Sequence, residues 1–331
     1  MKNILVTGGA GYIGSHTVAE LKKCGFTPIV FDNLSTGHEA AVPEDVQLVE
    51  GDIHNVEFTR HILEQFAVDA VVHFAASSLV GESMTNPAKY YFNNVEGTLH
   101  LLEAIRGCGV ENIVFSSTAA VYGEPDKTPI EEDFSLQPTN VYGRTKLVIE
   151  GMLKDYASAY DLRYVALRYF NAAGASLDGS IGEDHAPETH LIPLVLKTAQ
   201  GIRKQVAIYG TDYPTPDGTC LRDYIHVCDL ASAHVLALQY LLQGGASTVF
   251  NLGSESGFSV RDIIETAKQV TGKDFKVVEE QRRSGDPAIL IASSARIKKE
   301  LKWQPQHSTT REIIATAWKW HAAHPEGYAV K

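Results

Sequence analysis

Residues 3–23 read NILVTGGAGYIGSHTVAELKK: an apolar run, four glycines in seven residues from Gly8 to Gly14, then a helical pattern. A strand that feeds a tight glycine turn and then a helix is the phosphate-binding opening of a dinucleotide fold. Gly9, Gly11 and Gly14 satisfy GxGxxG, and Gly8, Gly11 and Gly14 equally satisfy GxxGxxG. Glycines let the turn close, let backbone N–H groups reach a pyrophosphate, and let the helix pack on the strand. The motif alone is weak; its place between strand and helix gives it meaning.

The same alternation continues along the chain. Runs 28–32, 46–49, 69–74, 112–117 and 164–169 are short and apolar almost throughout, as parallel strands covered on both faces are. Segments 13–24, 57–66, 94–107 and 142–160 carry helical periodicity. The pattern predicts an α/β, Rossmann-type doubly wound parallel sheet. After about Asn171 the rhythm changes: 174–187 and 212–218 are dense in Gly, Asp and Pro and read as loops beside a cleft. Helices are expected at 260–271, 294–301 and 309–322. The expected organisation is an NAD-binding domain over 1–172, rejoined by about 219–251. A smaller mixed α/β substrate domain takes 173–218 and 252–331.

Composition narrows the partners. The 331 residues are 44% hydrophobic and 21% charged, an ordinary globular mixture, with a formal net charge of −11. That charge argues against a nucleic-acid or anionic-membrane surface, so an anionic ligand needs individual arginines around it. Cys24, Cys108, Cys220 and Cys228 form no CxxC pair and read as reduced, mostly buried thiols. The N-terminal apolar run is too short for a signal peptide, and no run approaches the ~20 residues of a membrane span. A cytoplasmic location is expected.

Three further positions carry chemistry. Asp32 follows Gly14 by 18 residues, at the end of the second strand. A carboxylate there accepts hydrogen bonds from a ribose 2′-OH and repels a 2′-phosphate, which favours NAD over NADP. Asp52, ending the next strand, stands where a side chain meets the adenine edge. In NVYGRTK (140–146), Tyr142 and Lys146 are four apart on one helix face. A nearby ammonium and the positive nicotinamide of NAD⁺ favour the phenolate, so Tyr142 is expected to act as a base near neutral pH. Thr118, in FSSTAAVYG (115–123), is placed to hydrogen-bond the same substrate hydroxyl. His73, at a strand end, reads as a structural hydrogen-bonded residue.

These stretches, in this order, resemble the extended short-chain dehydrogenase/reductase family and within it the UDP-hexose 4-epimerases. TGGAGYIGSH, FDNLSTG, NNVEGT, SSTAAVYG, YGRTK, LRYFNAAGA, YGTDYPTPDGTCLRDYIHV and RRSGDPA carry the similarity over essentially the whole chain. The resemblance implies tightly held NAD, a transient 4-keto sugar, Tyr142 as base, Lys146 on the nicotinamide ribose and Thr118 on the 4-oxygen. Gly8, Gly11, Tyr12, Ile13, Asp32, Asn33, Asp52, Ile53, Phe74, Ala75, Asn93 and Phe170 match the family's cofactor positions. Arg222 and Arg283 match its diphosphate-binding arginines, a role for which a planar guanidinium suits phosphate. Asn171, Leu191, Gln205, Ala207, Tyr209, Tyr224 and Asp286 match positions around the UDP and sugar. A homodimer packed through helices 94–107 and 142–160 is a further implication, although Leu99, Leu102 and Ile105 serve the chain's own core equally well. No metal is expected.

Two positions depart from the family pattern. Ser78 stands where several epimerases carry a cofactor-contacting lysine, so that contact is not carried over. Leu290 falls where relatives place a tyrosine or a smaller residue beside the sugar C2 group. Its intermediate size suggests UDP-GlcNAc and UDP-GalNAc as side substrates. A 4,6-dehydratase needs an Asp-Glu pair where this chain has Ala119-Ala120. An epimerase for UDP-glucuronate, a dehydrogenase that exchanges NAD(H), or an NAD-binding scaffold remain alternatives.

Overall fold

The computed structural model describes residues 1–283, 286–307 and 309–328. Seven strands build one sheet: β1 (Asn3–Thr7), β2 (Thr27–Asp32), β3 (Gln47–Glu50), β4 (Ala70–His73), β5 (Asn112–Ser116), β6 (Arg163–Arg168) and β7 (Thr248–Asn251). Their order is β7-β6-β5-β4-β1-β2-β3, and every pairing is parallel. The order reverses between β1 and β4, which opens a crevice at the carboxyl ends of those strands. The expected strands lie within a residue or two of β1 to β6. β7 was not foreseen, because only Val249 and Phe250 are consecutive apolar residues in it.

The strands are apolar through their middles because both faces are covered. Ile4 and Val6 of β1 join Val18, Leu21, Leu230 and Leu238 in one core; Leu5 joins Phe31, Leu101, Ile105 and Leu153 in the opposite one. Each such side chain stabilises the fold by about 1.5–3 kcal/mol on burial. A third core gathers Ile192, Val195 and Leu196 of the helix Leu191–Ala199 with Ile263, Ile264, Ile313 and Ile314. The last four belong to helices Val260–Thr271 and Thr310–Ala323, which with Ala295–Leu301 answer the three helices expected in the C-terminal third.

Two differences from expectation have local causes. The helix expected at 94–107 starts at Pro87 and passes through a π-helical turn, Tyr91–Glu96, before Gly97–Gly107. Asn94 lies in that turn, fully buried, with its amide committed to Ser77 and Thr145. Among the cysteines only Cys220 is buried, and all four are free. No described helix is long and apolar enough to cross a membrane.

Five histidines sit almost fully inside this fold: His16, His73, His226, His234 and His321. Burial pushes His16, His234 and His321 down to about 4, and His73 and His226 to about 3. An unfolded histidine titrates near ~6.5. Between these values the unfolded chain therefore binds more protons, so this contribution is complete above pH ~6.5 and is lost as pH falls. With all five charging, the slope approaches about 7 kcal/mol per pH unit. Buried carboxylates such as Asp223, raised to about 6, return part of it. The urea midpoint should fall between pH 7 and pH 5; an unchanged or rising midpoint would contradict the assignment.

Candidate active site

The loops that follow β1 and β4 touch at the switch point. Gly8 has φ +72°, and a Cβ there would stand 2.6 Å from the Ala75 backbone nitrogen. On Gly14 a Cβ would stand 2.1 Å from the Gly8 carbonyl oxygen. Phe74 and Ala75 both donate backbone N–H groups to the Thr7 carbonyl, at 2.8 and 3.1 Å. Gly11 is the N-cap of the helix Tyr12–Lys23, where Ile13 also sits, and no side chain caps that end. Its first N–H groups thus have no side-chain acceptor, the setting that an anion fills. The cradle fits a pyrophosphate.

Asp32 ties this turn to β2. It is 7% exposed; Oδ2 accepts from Ala10 N–H at 3.0 Å and Oδ1 from Leu34 N–H at 2.9 Å. Burial raises its pKa against those bonds. Asn33 donates to Asp52 at 2.9 Å, and Asp52 also accepts from the His54 backbone at 2.9 Å and ring at 2.6 Å. These bonds outweigh desolvation and hold Asp52 below the usual carboxylate range. Ile53 packs beside Gly97. Asn93 donates to Asn94 Oδ1 at 3.1 Å, and Phe170 packs with Ala119, Val121 and Tyr122. Tyr12 reaches across the crevice to the Gly174 carbonyl at 2.7 Å.

Tyr142 and Lys146 enter from the helix Val141–Tyr160, whose N-terminus is capped by Asn140 Oδ1 accepting from Gly143 N–H at 2.8 Å. The Tyr142 backbone N–H donates to Ser83 Oγ at 3.2 Å. Lys146 is 3% exposed; Nζ donates to the Ser116 carbonyl at 2.8 Å and lies 5.9 Å from the Tyr142 ring centre. Thr118 caps the short turn Ala119–Tyr122, and its hydroxyl stands near the Tyr142 phenol. Burial pushes Tyr142 up to about 12, opposed by the nearby Thr118 hydroxyl. It pushes Lys146 down to about 7, opposed by the Glu150 carboxylate. In the protein alone, without the nicotinamide charge on which the expected lowering of Tyr142 also rests, desolvation dominates both groups.

Behind Lys146 lies a buried network that sequence reasoning missed. Arg168 donates to Glu150 Oε1 at 2.9 Å, contacts its second oxygen, and donates to Tyr122 Oη at 2.7 Å. Tyr122 in turn donates to Asn251 at 2.7 Å, and Ser117 donates to Glu150 at 2.5 Å. Glu150 follows Lys146 by one helical turn, a spacing the sequence did contain. Asn94 was also missed; the Asn93-Asn94 pair inside an otherwise amphipathic segment was its signal. His73 is bonded to Thr7 at 2.7 Å and Thr98 at 2.9 Å, as a structural residue would be.

The residues matched to the nucleotide and sugar come together in pairs. Asn171 and Tyr224 are directly opposite in a small parallel ladder, and Asn171 donates to the Asp223 carbonyl at 2.9 Å. Arg222 lies opposite Leu290 in another ladder and is ion-paired to Asp286. The Arg283 guanidinium stacks 3.9 Å over the Tyr209 ring. Tyr209 and Ala207 share the strand Val206–Tyr209, with Gln205 just before it, and Leu191 opens the helix Leu191–Ala199.

Residues 4–253 match the profile of the NAD dependent epimerase/dehydratase family. A UDP-glucose 4-epimerase of Streptococcus mutans serotype c is 53% identical over 327 residues, 98% of either chain. The crystal structure of UDP-glucose 4-epimerase from Brucella ovis in complex with NAD superposes with a TM-score of 0.94 at 51% identity, over 96% of this chain and 98% of that one. The Bifidobacterium longum enzyme, solved with NAD+ and UDP, gives a TM-score of 0.92 at 37% identity over 99% and 100%. Glycine turn, tyrosine–lysine helix and relatives agree: the chain belongs to the NAD dependent epimerase/dehydratase family, in its UDP-glucose 4-epimerase branch.

Proposed function

We propose that the chain interconverts UDP-glucose and UDP-galactose, with NAD retained through turnover. The observation that carries this reading is the grouping of Tyr142, Thr118 and Lys146 at the carboxyl end of β5, with Lys146 Nζ on the Ser116 carbonyl, in the same sheet whose β1 feeds the Gly8–Gly14 turn. NAD, held by the glycine turn and Lys146, would supply the hydride acceptor and donor for sugar C4 and, when oxidised, a positive charge. Such a charge beside Tyr142 would offset the desolvation that otherwise pushes the phenol up to about 12. Tyr142 removes the proton of the 4-hydroxyl and later returns it, while Thr118 orients the 4-oxygen. Lys146 would bind the nicotinamide ribose, with Glu150 opposing the burial that lowers its pKa to about 7. Asp32 accepts from the adenosine ribose.

Inverting C4 requires the 4-keto sugar to present both faces to one cofactor. The anchor must then lie at the diphosphate, where Arg222 and Arg283 neutralise charge, and not at the hexose. Elimination of water is disfavoured because Ala119 and Ala120 supply no acid or base beside Thr118. We assign the sheet-flanking cores to the cofactor lobe and the core around Ile192 and Ile313 to the substrate lobe, with bounds near those expected from sequence; Ile297 and Trp303 pack in the first and Tyr224 in the second. Leu102 and Ile105 are buried in the chain's own core, whereas Leu99 and Val148 are each 41% exposed on the two helices expected at a dimer interface. Their exposure supports a homodimer through those helices. A cytoplasmic site of action fits NAD-dependent sugar-nucleotide chemistry with free thiols.

Desalted protein given UDP-galactose and no NAD should form UDP-glucose; strict dependence on added NAD would refute cofactor retention. The same assay with UDP-GlcNAc tests the residue opposite Arg222. Wild type should turn it over and Leu290→Tyr should not, and inactivity of the wild type would remove the side activity.

A further inference from the structure

The segment between the Tyr12 contact at Gly174 and the helix at Leu191 contains a side-chain cluster that has no role in the chemistry proposed above. In GEDHAPETH (182–190) two Glu-x-His units follow one another. Neither HxxxH nor HExxH occurs, so spacing gave no sign of a metal site. The fold brings one ligating atom each of Glu183, His185, Glu188 and His190 within 4.8 Å of one another. His190 Nδ1 is bonded to Glu183 Oε1, and His185 Nδ1 lies 3.3 Å from that oxygen and 4.0 Å from Glu188 Oε2. The carboxylates are deep, with side chains 4% and 5% exposed, and the imidazoles form the rim at 28% and 51%. Glu188 Oε2 is buried with no hydrogen-bond partner. A carboxylate oxygen left so, facing a histidine beyond bonding distance, is short of one ligand.

We propose that Glu183, His185, Glu188 and His190 form a binding site for one divalent transition-metal ion of the Zn2+ type. Two imidazole nitrogens and two carboxylate oxygens make a closed four-coordinate set, which suits Zn2+. Tetrahedral ligands at ~2.1 Å from an ion are ~3.4 Å apart, so the donors need to close by little more than ~1 Å. Two carboxylates neutralise the ion's charge, and both imidazoles bind uncharged. Mg2+ and Ca2+ favour six or more oxygen ligands and are poorly served by this set.

The ion's role here is to fasten a loop. The His185 ring meets Tyr12 edge-on, with centroids 6.3 Å apart. The intervening Asp184 accepts from Tyr328 N–H at 2.9 Å and lies 3.6 Å from His38 Nε2. Gly182 packs directly under Trp320, where a Cβ would stand 2.2 Å from the ring. A bound ion would therefore pin one segment between the cofactor turn, the C-terminal region and Leu191, with no part in the chemistry.

Full-length protein stripped with EDTA and desalted should take up about one Zn2+ per chain, read by elemental analysis and by competition with a chromophoric chelator. Its melting temperature should rise with ZnCl2 and not with MgCl2 or CaCl2. The rim variant His185→Gln/His190→Gln, which spares the buried carboxylates, should lose at least about 100-fold in Zn2+ affinity and lose the thermal shift. His61→Gln, an exposed histidine elsewhere, should change neither. Equal Zn2+ binding by wild type and the rim variant, no uptake by the wild type, or equal response to MgCl2 would each overturn the proposal.

Discussion

Tyr142→Phe should lower the rate of UDP-galactose epimerisation by about 10²–10⁴, the usual contribution of a positioned acid–base group. Phenylalanine keeps the ring beside Lys146 and removes only the hydroxyl that Thr118 meets. The backbone bond from residue 142 to Ser83 and the Asn140 cap do not depend on that hydroxyl. Bound NAD and melting temperature should accordingly stay near wild type while turnover falls. A variant within about tenfold of wild type would show that another group moves the proton. The energetic reason for so large a loss lies in the burial that raises the phenol. A base that needs a nearby positive charge to ionise has no ready substitute from solvent.

Arg168→Met should be the most destabilising of the single changes considered, by about 3–5 kcal/mol in urea or thermal unfolding. Arg168 and Glu150 are 4% and 7% exposed, and the guanidinium satisfies both carboxylate oxygens as well as Tyr122. Removing the cation alone leaves Glu150 charged in the interior, with Ser117 still donating to it. The pair Glu150→Gln/Arg168→Met removes both charges and should recover much of the loss, because the two residues share one network. A single variant within about 1 kcal/mol of wild type, or a double variant no better than the single, would contradict this account.

What could be read from sequence follows how local each device is. The glycine turn, Asp32 and the Tyr142–Lys146 spacing occupy short windows, so periodicity and spacing exposed them. The nucleotide end was visible only through resemblance: Arg222 and Asp286 are 64 residues apart and meet through two short strands and a loop. The buried network was silent for the same reason, since Tyr122 and Asn251 are separated by 129 residues. Spacing showed which charge stands near Tyr142 and was silent on how dry the site is, which is what raises the phenol in the protein alone. The 183–190 cluster escaped because its ligands come from one irregular loop, which no periodic pattern describes.

In the proposed reaction the hydrogen taken from C4 is kept inside the protein and returned to the same carbon. UDP-galactose deuterated at C4, turned over by desalted protein in ordinary water, tests it directly by mass spectrometry and NMR of the UDP-glucose formed. The account predicts that the deuterium stays at C4 in the inverted product, with no wash-out over many turnovers. Replacement of that deuterium by solvent hydrogen would contradict it.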